Sequence, residues 1–272
     1  MEIQDLSKEL RVKPGKKVDL AKWDPGWTPG VKDREEAEAL LQKNREKLAK
    51  LQYLLYAENK HSLLVILQGM DACGKDGTVR HVMHGVNPQA CRVTSFKAPT
   101  SEELDHDFLW RIHQQVPPRG EIGIFNRSHY EDVLIVRVKN LVPKEVWSKR
   151  YKQINQFERI LAKNNITILK FFLHISKEEQ KQRLQERLAD PTKNWKMNPD
   201  DLKERARWDE YMKAYEVALS ECSTKWAPWY IIPADKKWYR NLAVSQIIIE
   251  TLEGFKMKFP KPDFDPKKIV IE

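Results

Sequence analysis

The residues best suited to chemistry lie in a short glycine-rich stretch, GMDACGKDGT, from Gly69 to Thr78. The stretch follows an apolar segment and precedes a predicted helix, and its Gly69, Gly74 and Lys75 have the spacing of a phosphate-binding loop. In such a loop, backbone N–H groups and a helix N-terminus surround phosphate oxygens while the lysine reaches the terminal phosphates. The alternative is a glycine-rich turn that only joins a strand to a helix. The lysine, the glycines and the preceding apolar segment together favour a phosphate site.

Two carboxylates, Asp71 and Asp76, lie inside this stretch, and Asp76 stands where a serine or threonine hydroxyl normally holds magnesium. Negative side chains repel phosphates unless a divalent cation lies between them. Hard cations prefer carboxylate and phosphate oxygens as ligands. The sequence therefore predicts a bound Mg²⁺ ion, with Mn²⁺ as an alternative, and leaves open whether Asp76 touches the metal directly.

A second polar cluster, NRSHYED, occupies residues 126–132 directly after a predicted strand. In phosphate-binding-loop proteins the neighbouring strand usually ends in a carboxylate that serves the metal, whereas this chain has Asn126 there. Glu131 or Asp132 could supply the missing charge and are further candidate metal ligands. The planar guanidinium of Arg127 is predicted to clamp a transferred phosphoryl group, and the plain alternative is a surface ion pair.

Basic side chains are concentrated in a helical region over residues 178–210, which is broken near Pro191 and Pro199. A mobile lid of this kind can close over polyanionic substrates, exclude water and add positive charge. The alternative is a solvated helix with ion pairs between residues four apart. Arg183 and Arg187 lie on one face of the predicted helix.

The elements that position these residues alternate between strand and helix. The predicted strands are residues 62–68, 91–96, 121–125, 167–175 and 229–233. The predicted helices run over 33–59, from Ser101, from Lys144, in two pieces within 178–224, and over 239–253. Alternation of this kind predicts an α/β fold with a parallel sheet. The domain itself is assigned to residues 61–255, with an irregular arm and a helix over 1–60 and an extended tail over 256–272.

The helix from Ser101 has the clearest predicted start. Thr100 and Glu103 have the spacing of a capping box, in which the two side chains cap each other's backbone N–H groups. Continued helical spacing would place Leu104, Phe108 and Ile112 on one side of that helix.

Composition narrows the class of protein. The chain has 272 residues, and its 48 Lys and Arg against 39 Asp and Glu give a net charge of +9, which favours an anionic partner. The apolar runs are far shorter than the ~20 residues that cross a bilayer, so no membrane partner is expected. With no secretory signal pattern, the cytoplasm is the expected location. The three cysteines, Cys73, Cys91 and Cys222, are widely spaced and are predicted to be free thiols.

Three segments together resemble the family 2 polyphosphate kinases: GMDACGKDGT, FNRSHYED, and QERLADPTKNWK followed by RWDEY. The resemblance runs from about Trp23 to Glu253. It implies a thymidylate-kinase-like P-loop fold with a central parallel sheet and a helical lid. It also implies Mg²⁺-dependent, reversible phosphoryl transfer between inorganic polyphosphate and nucleotides, and homodimers or homotetramers. The expected acceptors are ADP and GDP, which give ATP and GTP, with AMP as a further acceptor.

By matching positions, the resemblance makes Asp71, Lys75 and Arg127 the catalytic core. Glu131 and Asp132, which follow His129 and Tyr130, resemble members that accept both mono- and diphosphates. The residues predicted to bind phosphate or nucleotide are Gly69, Gly74, Asp76, Gly77, Thr78, Arg80, Arg137, Arg183, Arg187, Lys193 and Lys196.

Two rival functions remain open at this point. An ATP-dependent nucleotide or small-molecule kinase of the same fold would use ATP as donor and make no ATP from polyphosphate. A nucleic-acid-binding module would also explain the positive charge. However, the aromatic residues cluster in the N-terminal arm and over residues 226–239 instead of alternating with the lysines. No nucleic acid partner is therefore expected.

Overall fold

The computed structural model describes residues 6–271, and its centre is a five-stranded, all-parallel sheet with the order β2-β3-β1-β4-β5. The strands are β1 (Ser62–Gln68), β2 (Cys91–Ser95), β3 (Ile122–Asn126), β4 (Ile166–His174) and β5 (Trp229–Pro233). All five predicted strands are confirmed, with bounds shifted by no more than one residue. Every residue of β1 is buried, because helices cover both faces of a parallel sheet.

The helices are α1 (Leu6–Glu9), α2 (Arg34–Glu58), α3 (Lys75–Val82), α4 (Ser101–Asp105), α5 (Trp110–His113), α6 (Ile135–Val138), α7 (Lys144–Lys163), α8 (Lys177–Ala189), α9 (Asp200–Ala206), α10 (Trp208–Cys222) and α11 (Lys237–Gly254). Short 3₁₀ turns include His129–Val133 after β3 and Asn194–Lys196 between α8 and α9. Helices α2 and α3 pack on α11, which lies against β4 and β5, and α7 packs on β4 beside α6 and α10. The predicted α/β class is confirmed.

Local chemistry explains why α2 begins and ends where it does. The Asp33 carboxylate accepts a hydrogen bond from the Glu36 backbone N–H at 2.9 Å, which caps the first turn. Asn59 ends the helix in the left-handed conformation, with φ of 53°. The predicted helix ending near Asn59 is confirmed.

The helix predicted from Ser101 through Ile112 is wrong in its length. Its capping box is confirmed, since Thr100 N–H and Glu103 Oε2 are 2.8 Å apart and the reciprocal bond is 3.2 Å. The helix nevertheless stops at α4 and restarts as α5, because the Asp107 carboxylate accepts from the Leu109 N–H at 3.0 Å and turns the chain. Leu104 is consequently 68% exposed while Ile112 is buried, so the two do not share one side of a single helix.

The N-terminal arm, which was predicted only to be irregular, contributes buried residues to the core. Leu6 and Leu10 are fully buried. The arm also extends the sheet, because Val12 N–H donates to the Trp229 carbonyl at 2.8 Å and Ile231 N–H donates to the Leu10 carbonyl at 2.9 Å. Few apolar residues among many charges made this packing hard to see in the sequence. The first five residues of the predicted arm and the last residue of the predicted tail lie outside the described residues.

After α11 the chain is irregular apart from a 3₁₀ turn at Pro266–Lys268. The cysteines are free thiols. Within residues 6–271, no helix combines the length and the apolar character that crossing a membrane requires.

Candidate active site

The glycine-rich loop and the NRSHYED segment meet at one edge of the sheet. The loop follows β1 and the segment follows β3, and these two strands pair side by side, with Leu67 beside Asn126. The carboxyl ends of parallel strands, at the point where strand order reverses, form the usual ligand crevice of an α/β sheet. The sheet topology therefore brings the two predicted clusters together.

Two glycines of the loop lie where a side chain would not fit. Gly69 has φ of +149°, and a Cβ there would lie 2.8 Å from the Leu173 carbonyl oxygen. Gly74 has φ of +105° and caps α3, and a Cβ there would overlap the guanidinium of Arg240. Both positions need glycine for conformation and for space.

Lys75 begins α3 and is folded inward, with only 8% of its surface exposed. Its Nζ donates to the Gly69 carbonyl at 2.7 Å and to the Met70 carbonyl at 3.3 Å. The ammonium group thus lies across the loop that it follows. The Thr78 hydroxyl donates a hydrogen bond to the Gly74 carbonyl, 3.1 Å away, within the first turn of the helix.

Arg127 joins the two clusters. Its Nη2 donates to Asp71 Oδ1 at 2.6 Å and its Nη1 donates to Glu131 Oε2 at 3.3 Å. Glu131, followed by Asp71, raises the pKa of Arg127 above its usual range, because both carboxylates favour the charged form. The residue also has a left-handed backbone, with φ of 63°, which is uncommon outside glycine and asparagine. This geometry fixes the guanidinium between two carboxylates, one from the loop after β1 and one from the turn after β3.

The four predicted metal carboxylates do not form one group. Asp71 pairs with Arg127, while Asp76 Oδ1 accepts from the Asn126 amide at 2.6 Å. Asp132 accepts from Arg150 at 2.8 Å, and burial raises its pKa to about 6 against the opposing effect of that arginine. Within the described part of the chain, no three acidic, histidine or cysteine side chains converge as ready-made metal ligands.

A cavity of about 200 Å³ lies over the loop, and residues of the lid line part of it. Its floor includes Gly69, Asp71, Arg127 and Glu131, and α9 contributes Asp200, Asp201 and Glu204 to its roof. Lys139 on the floor forms an ion pair with Glu204, which also accepts from Tyr211 Oη at 2.5 Å. Burial, followed by the charge of Asp71, raises the pKa of Asp201.

Sequence reasoning did not select Lys139, Glu204 or Tyr211 as site residues. RWDEY, which contains Tyr211, supported the family resemblance only as a motif. The available signal for Glu204 was its place in the predicted lid beside the basic residues. Lys139 carried no signal, because a lysine after a short apolar helix is common on any surface.

The basic residues predicted for the lid divide into two groups. Arg183 is buried away from the cavity, and its Nη1 donates to the Ala72 and Cys73 carbonyls at 3.1 and 3.0 Å. The contact predicted between Arg183 and a nucleotide phosphate stays a prediction. The bonds from Arg183 to these two carbonyls do not support it. The others lie on the lid itself: Arg187 faces Asp201 at 3.6 Å, Lys193 pairs with Asp190 at 2.5 Å, and Lys196 lies over the Trp195 ring.

The structure does not bring Arg80 and Arg137 to the cavity. Arg80 is exposed on α3. Arg137 donates to Tyr151 Oη at 3.3 Å, and its guanidinium lies 4.8 Å from the Trp147 ring centre. Gly77 lies in the first turn of α3, against Arg240.

A second cavity, of about 560 Å³, opens beside the first and shares Arg127, Glu131 and Ile135 with it. Its apolar walls include Phe96 and Phe108. Besides Arg127 and Glu131, its polar lining residues are Lys97, Glu103, His106, Arg111, Ser128, Asp132 and Arg150. A cavity of this size, with apolar walls and a few polar groups, is typical of a small-molecule site.

The parallel sheet, the glycine loop with its lysine and the helical lid define a P-loop protein of the phosphotransferase class. The sequence pattern of the family described as Polyphosphate kinase 2 (PPK2) matches residues 31–260. The chain therefore belongs to this family.

Relatives of known family are similar to this chain over nearly its whole length. The chain is 58% identical to the AMP/ADP-polyphosphate phosphotransferase of Meiothermus ruber, over 97% of this chain and 100% of that protein. It is 50% identical to the ADP-polyphosphate phosphotransferase of Rhodopseudomonas palustris, over 94% and 92%. The crystal structure of polyphosphate kinase 2 from Arthrobacter aurescens TC1 superposes with a TM-score of 0.93 at 48% identity, covering 96% of this chain and 94% of that one.

Proposed function

We propose that this protein transfers phosphoryl groups reversibly between inorganic polyphosphate and nucleotides. The observation that carries the proposal is the loop from Gly69 to Thr78, which faces Arg127 across the ends of two paired strands. The names of the two relatives, AMP/ADP-polyphosphate phosphotransferase and ADP-polyphosphate phosphotransferase, support it. The proposed acceptors are ADP and GDP, with AMP as a further acceptor.

In the proposed reaction, an oxygen of the nucleotide's terminal phosphate attacks the end phosphorus of polyphosphate. The bond from that phosphorus to the next bridging oxygen breaks, and the shortened polyphosphate keeps the electron pair. The attacking phosphate is already ionised near neutral pH, so the step needs no general base. The protein's task is to hold two polyanions in line and to balance the charge that develops.

The described residues suit that task. Backbone N–H groups of the loop and the N-terminus of α3 would bind the phosphates. Lys75 would exchange its bonds with the Gly69 and Met70 carbonyls for bonds with phosphate oxygens. Arg127 lies at the boundary of the two cavities, where it would stabilise the phosphoryl group in transit.

The donor set fits a magnesium ion. Asp71 and Asp76 supply carboxylates, and Asn126 lies 2.6 Å from Asp76. Magnesium commonly takes one or two carboxylates and completes its shell with substrate phosphates and water, so a cluster of three protein ligands is not required. When bound, the ion would neutralise phosphate oxygens beside these acidic side chains. Mn²⁺ accepts the same oxygen ligands.

The larger cavity would hold the nucleoside. Its apolar walls suit a base, and Phe96 packs edge-on against Phe125 with ring centres 4.9 Å apart. The guanidinium of Arg111 lies 5.2 Å from the Phe96 ring centre and pairs with Glu103 at 2.8 Å, and its charge would favour the acceptor's phosphates. Since this cavity shares Arg127 with the smaller one, a nucleotide there would direct its terminal phosphate towards the loop.

Assembly and location are part of the proposal. The family resemblance supports a homodimer or homotetramer, which light scattering of the purified protein would test. The cytoplasm is the proposed location.

The test is to incubate the protein with Mg²⁺ and long-chain polyphosphate and, separately, with AMP, ADP, GMP and GDP, and then to resolve the products. We expect ATP from ADP, and a loss of turnover on the order of 10²- to 10³-fold in Lys75→Ala, because one preorganised charged donor is removed. The matched control is Lys22→Ala, whose lysine is 80% exposed. Near-normal turnover in Lys75→Ala, or product formed only from ATP as donor, would contradict the proposal.

A further inference from the structure

Side chains from distant elements hold the carbonyl side of the phosphate-binding loop. Their hydrogen bonds are Gln180 Nε2 to the Asp71 carbonyl at 2.9 Å, Arg183 Nη1 to the Ala72 and Cys73 carbonyls at 3.1 and 3.0 Å, and Arg240 Nη1 to the Cys73 carbonyl at 3.1 Å. In a planar trans peptide the C=O and the following N–H point in opposite directions. Anchoring the Cys73 carbonyl therefore turns the Gly74 N–H towards the opposite side, where phosphate would bind.

Arg240 differs from the other two because it brings a buried charge without a partner of opposite sign. Its side chain is 2% exposed, and its Nε and Nη2 bond to the neutral Asn241 Oδ1 at 3.3 and 2.9 Å. Arg183, by contrast, pairs with Glu179 at 2.7 Å. Among residues 6–271, no carboxylate forms an ion pair with Arg240. Burial, followed by the charge of Arg183, lowers the pKa of Arg240 to about 10, so it remains charged at neutral pH.

The guanidinium of Arg240 lies directly behind the start of α3. A Cβ on Gly74 would overlap it, and a Cβ on Gly77 would lie 3.3 Å from its Nη2. The N-terminus of α3 already carries partial positive charge. A full positive charge at the same place adds to that field, and it lies in a buried region where solvent screens it little.

We propose that Arg240 is a positioning residue, which favours the binding of polyphosphate by the loop and does not contact the polyphosphate itself. It anchors the Cys73 carbonyl, and its charge is balanced by the phosphates held on the other side of the loop. This inference rests on the proposed function, since it assigns the loop to polyphosphate. A buried cation without a carboxylate partner is costly on its own, so a bound polyanion would relieve that cost.

The test is Arg240→Met, which removes the charge and the hydrogen bond but keeps an unbranched side chain. We expect the KM for polyphosphate to rise about tenfold, because a hydrogen bond from a charged group is lost, while the KM for ADP stays within about twofold. The ligand-free variant should unfold at a temperature no lower than that of the wild type. Tripolyphosphate should raise that temperature less than it does in the wild type.

The matched control is Arg45→Met, which also removes a charge and a guanidinium bond to a backbone carbonyl, that of His81 at 2.7 Å. Arg45 lies on α2, and its contact is exposed, so both KM values should stay as in the wild type. Arg240→Lys keeps the charge, and its KM for polyphosphate should rise by about threefold, between the values of the wild type and Arg240→Met.

The outcomes separate the two proposals. An unchanged KM for polyphosphate in Arg240→Met, or a lower unfolding temperature with both KM values shifted together, would overturn the role of Arg240. If Arg240→Met does not fold, Arg240→Lys decides by the same ratio of KM values. If the wild type and Arg45→Met make no ATP from polyphosphate, the proposed function fails, while stabilisation by tripolyphosphate still tests Arg240.

Discussion

A single side chain, Arg127, connects the two chemical clusters of this protein. Its two terminal nitrogens reach Asp71 on one side and Glu131 on the other. A planar fork can make both bonds at once, whereas an ammonium group is a point charge. The shape of the guanidinium therefore matters as much as its charge.

The prediction for this residue is that Arg127→Lys lowers kcat on the order of 10²-fold, because one preorganised donor is lost although the charge remains. The unfolding temperature should change little, since the side chain is 37% exposed. Steady-state ATP synthesis from polyphosphate and thermal unfolding check the two parts. Arg34→Lys is the control, because Arg34 forms an exposed ion pair with Glu38. A variant with more than half of the wild-type kcat would contradict the role given to Arg127.

The site residues that the sequence predicts are those that belong to a short motif or directly follow a predicted strand. Gly69, Gly74 and Lys75 belong to one short motif, and Arg127 directly follows a strand. Arg240 had no such context: it meets the loop only because α11 packs against α3, and its contact with Cys73 spans 167 residues. A single sequence carries no signal for a contact that depends on how two helices pack.

At the scale of elements, a buried polar cluster joins the sheet to helices α7 and α10 and to the 3₁₀ turn after β3. Lys170 on β4 donates to Glu158 of α7 at 2.6 Å, to Tyr130 Oη at 2.7 Å and to the Cys222 carbonyl at 2.7 Å. Burial raises the pKa of Glu158, but Lys170 and the hydrogen bond with His129 outweigh it, and the net shift is downward. The cluster thus fixes the 3₁₀ turn that carries Glu131 to the sheet.

We expect Glu158→Gln to lower the free energy of unfolding by about 3 to 5 kcal/mol, because it leaves the Lys170 charge buried and unpaired. The double variant Glu158→Leu with Lys170→Met should recover most of that loss, since it removes both charges together. Urea unfolding of the three proteins gives the comparison. Glu38→Gln, on an exposed pair, serves as control and should cost less than about 0.5 kcal/mol. A single variant as stable as that control would refute the argument.

The sequence patterns predicted some of the strands and helices correctly and others wrongly. The apolar runs of β1, β3, β4 and β5 were clear because these strands are largely buried in a parallel sheet. Strand β2 lies at the edge of the sheet, is largely exposed and has no such run. The helix predicted through Ile112 failed because Asp107 offers the backbone a competing hydrogen bond, which apolar spacing does not reveal. The lid breaks at residues 191 and 199 were visible because proline cannot continue a helix.

At the scale of the whole molecule, the N-terminal arm is attached at several places, one of which is sensitive to acid. The ring of His174 lies 3.0 Å from the Trp23 carbonyl, so Nε2 carries the hydrogen. Its Nδ1 is buried, and the described residues offer it no hydrogen-bond partner. Burial therefore lowers the pKa of His174, despite the opposing effects of the Trp23 carbonyl and Asp235.

Because its folded pKa lies below the usual value, near 6.5, His174 binds fewer protons in the folded state than in the unfolded state. Its contribution to stability is complete above that value and is lost as the pH falls below it. We expect the fall in unfolding temperature between pH 7.5 and 5.5 to be smaller in His174→Gln than in the wild type. The exposed His84→Gln serves as control and should keep the wild-type slope. Parallel slopes for all three proteins would contradict this account.

The attachment of the arm also bears on how the chain is made. The Ser223 hydroxyl donates to the Val12 carbonyl, 211 residues earlier in the chain. At 5 to 20 residues per second, a ribosome needs roughly 10 to 40 s to deliver that partner. Throughout that interval Leu6 and Leu10 lack later segments against which they pack in the finished fold, among them α11. The apolar side chains of the newly made arm are therefore open to aggregation until synthesis is nearly complete.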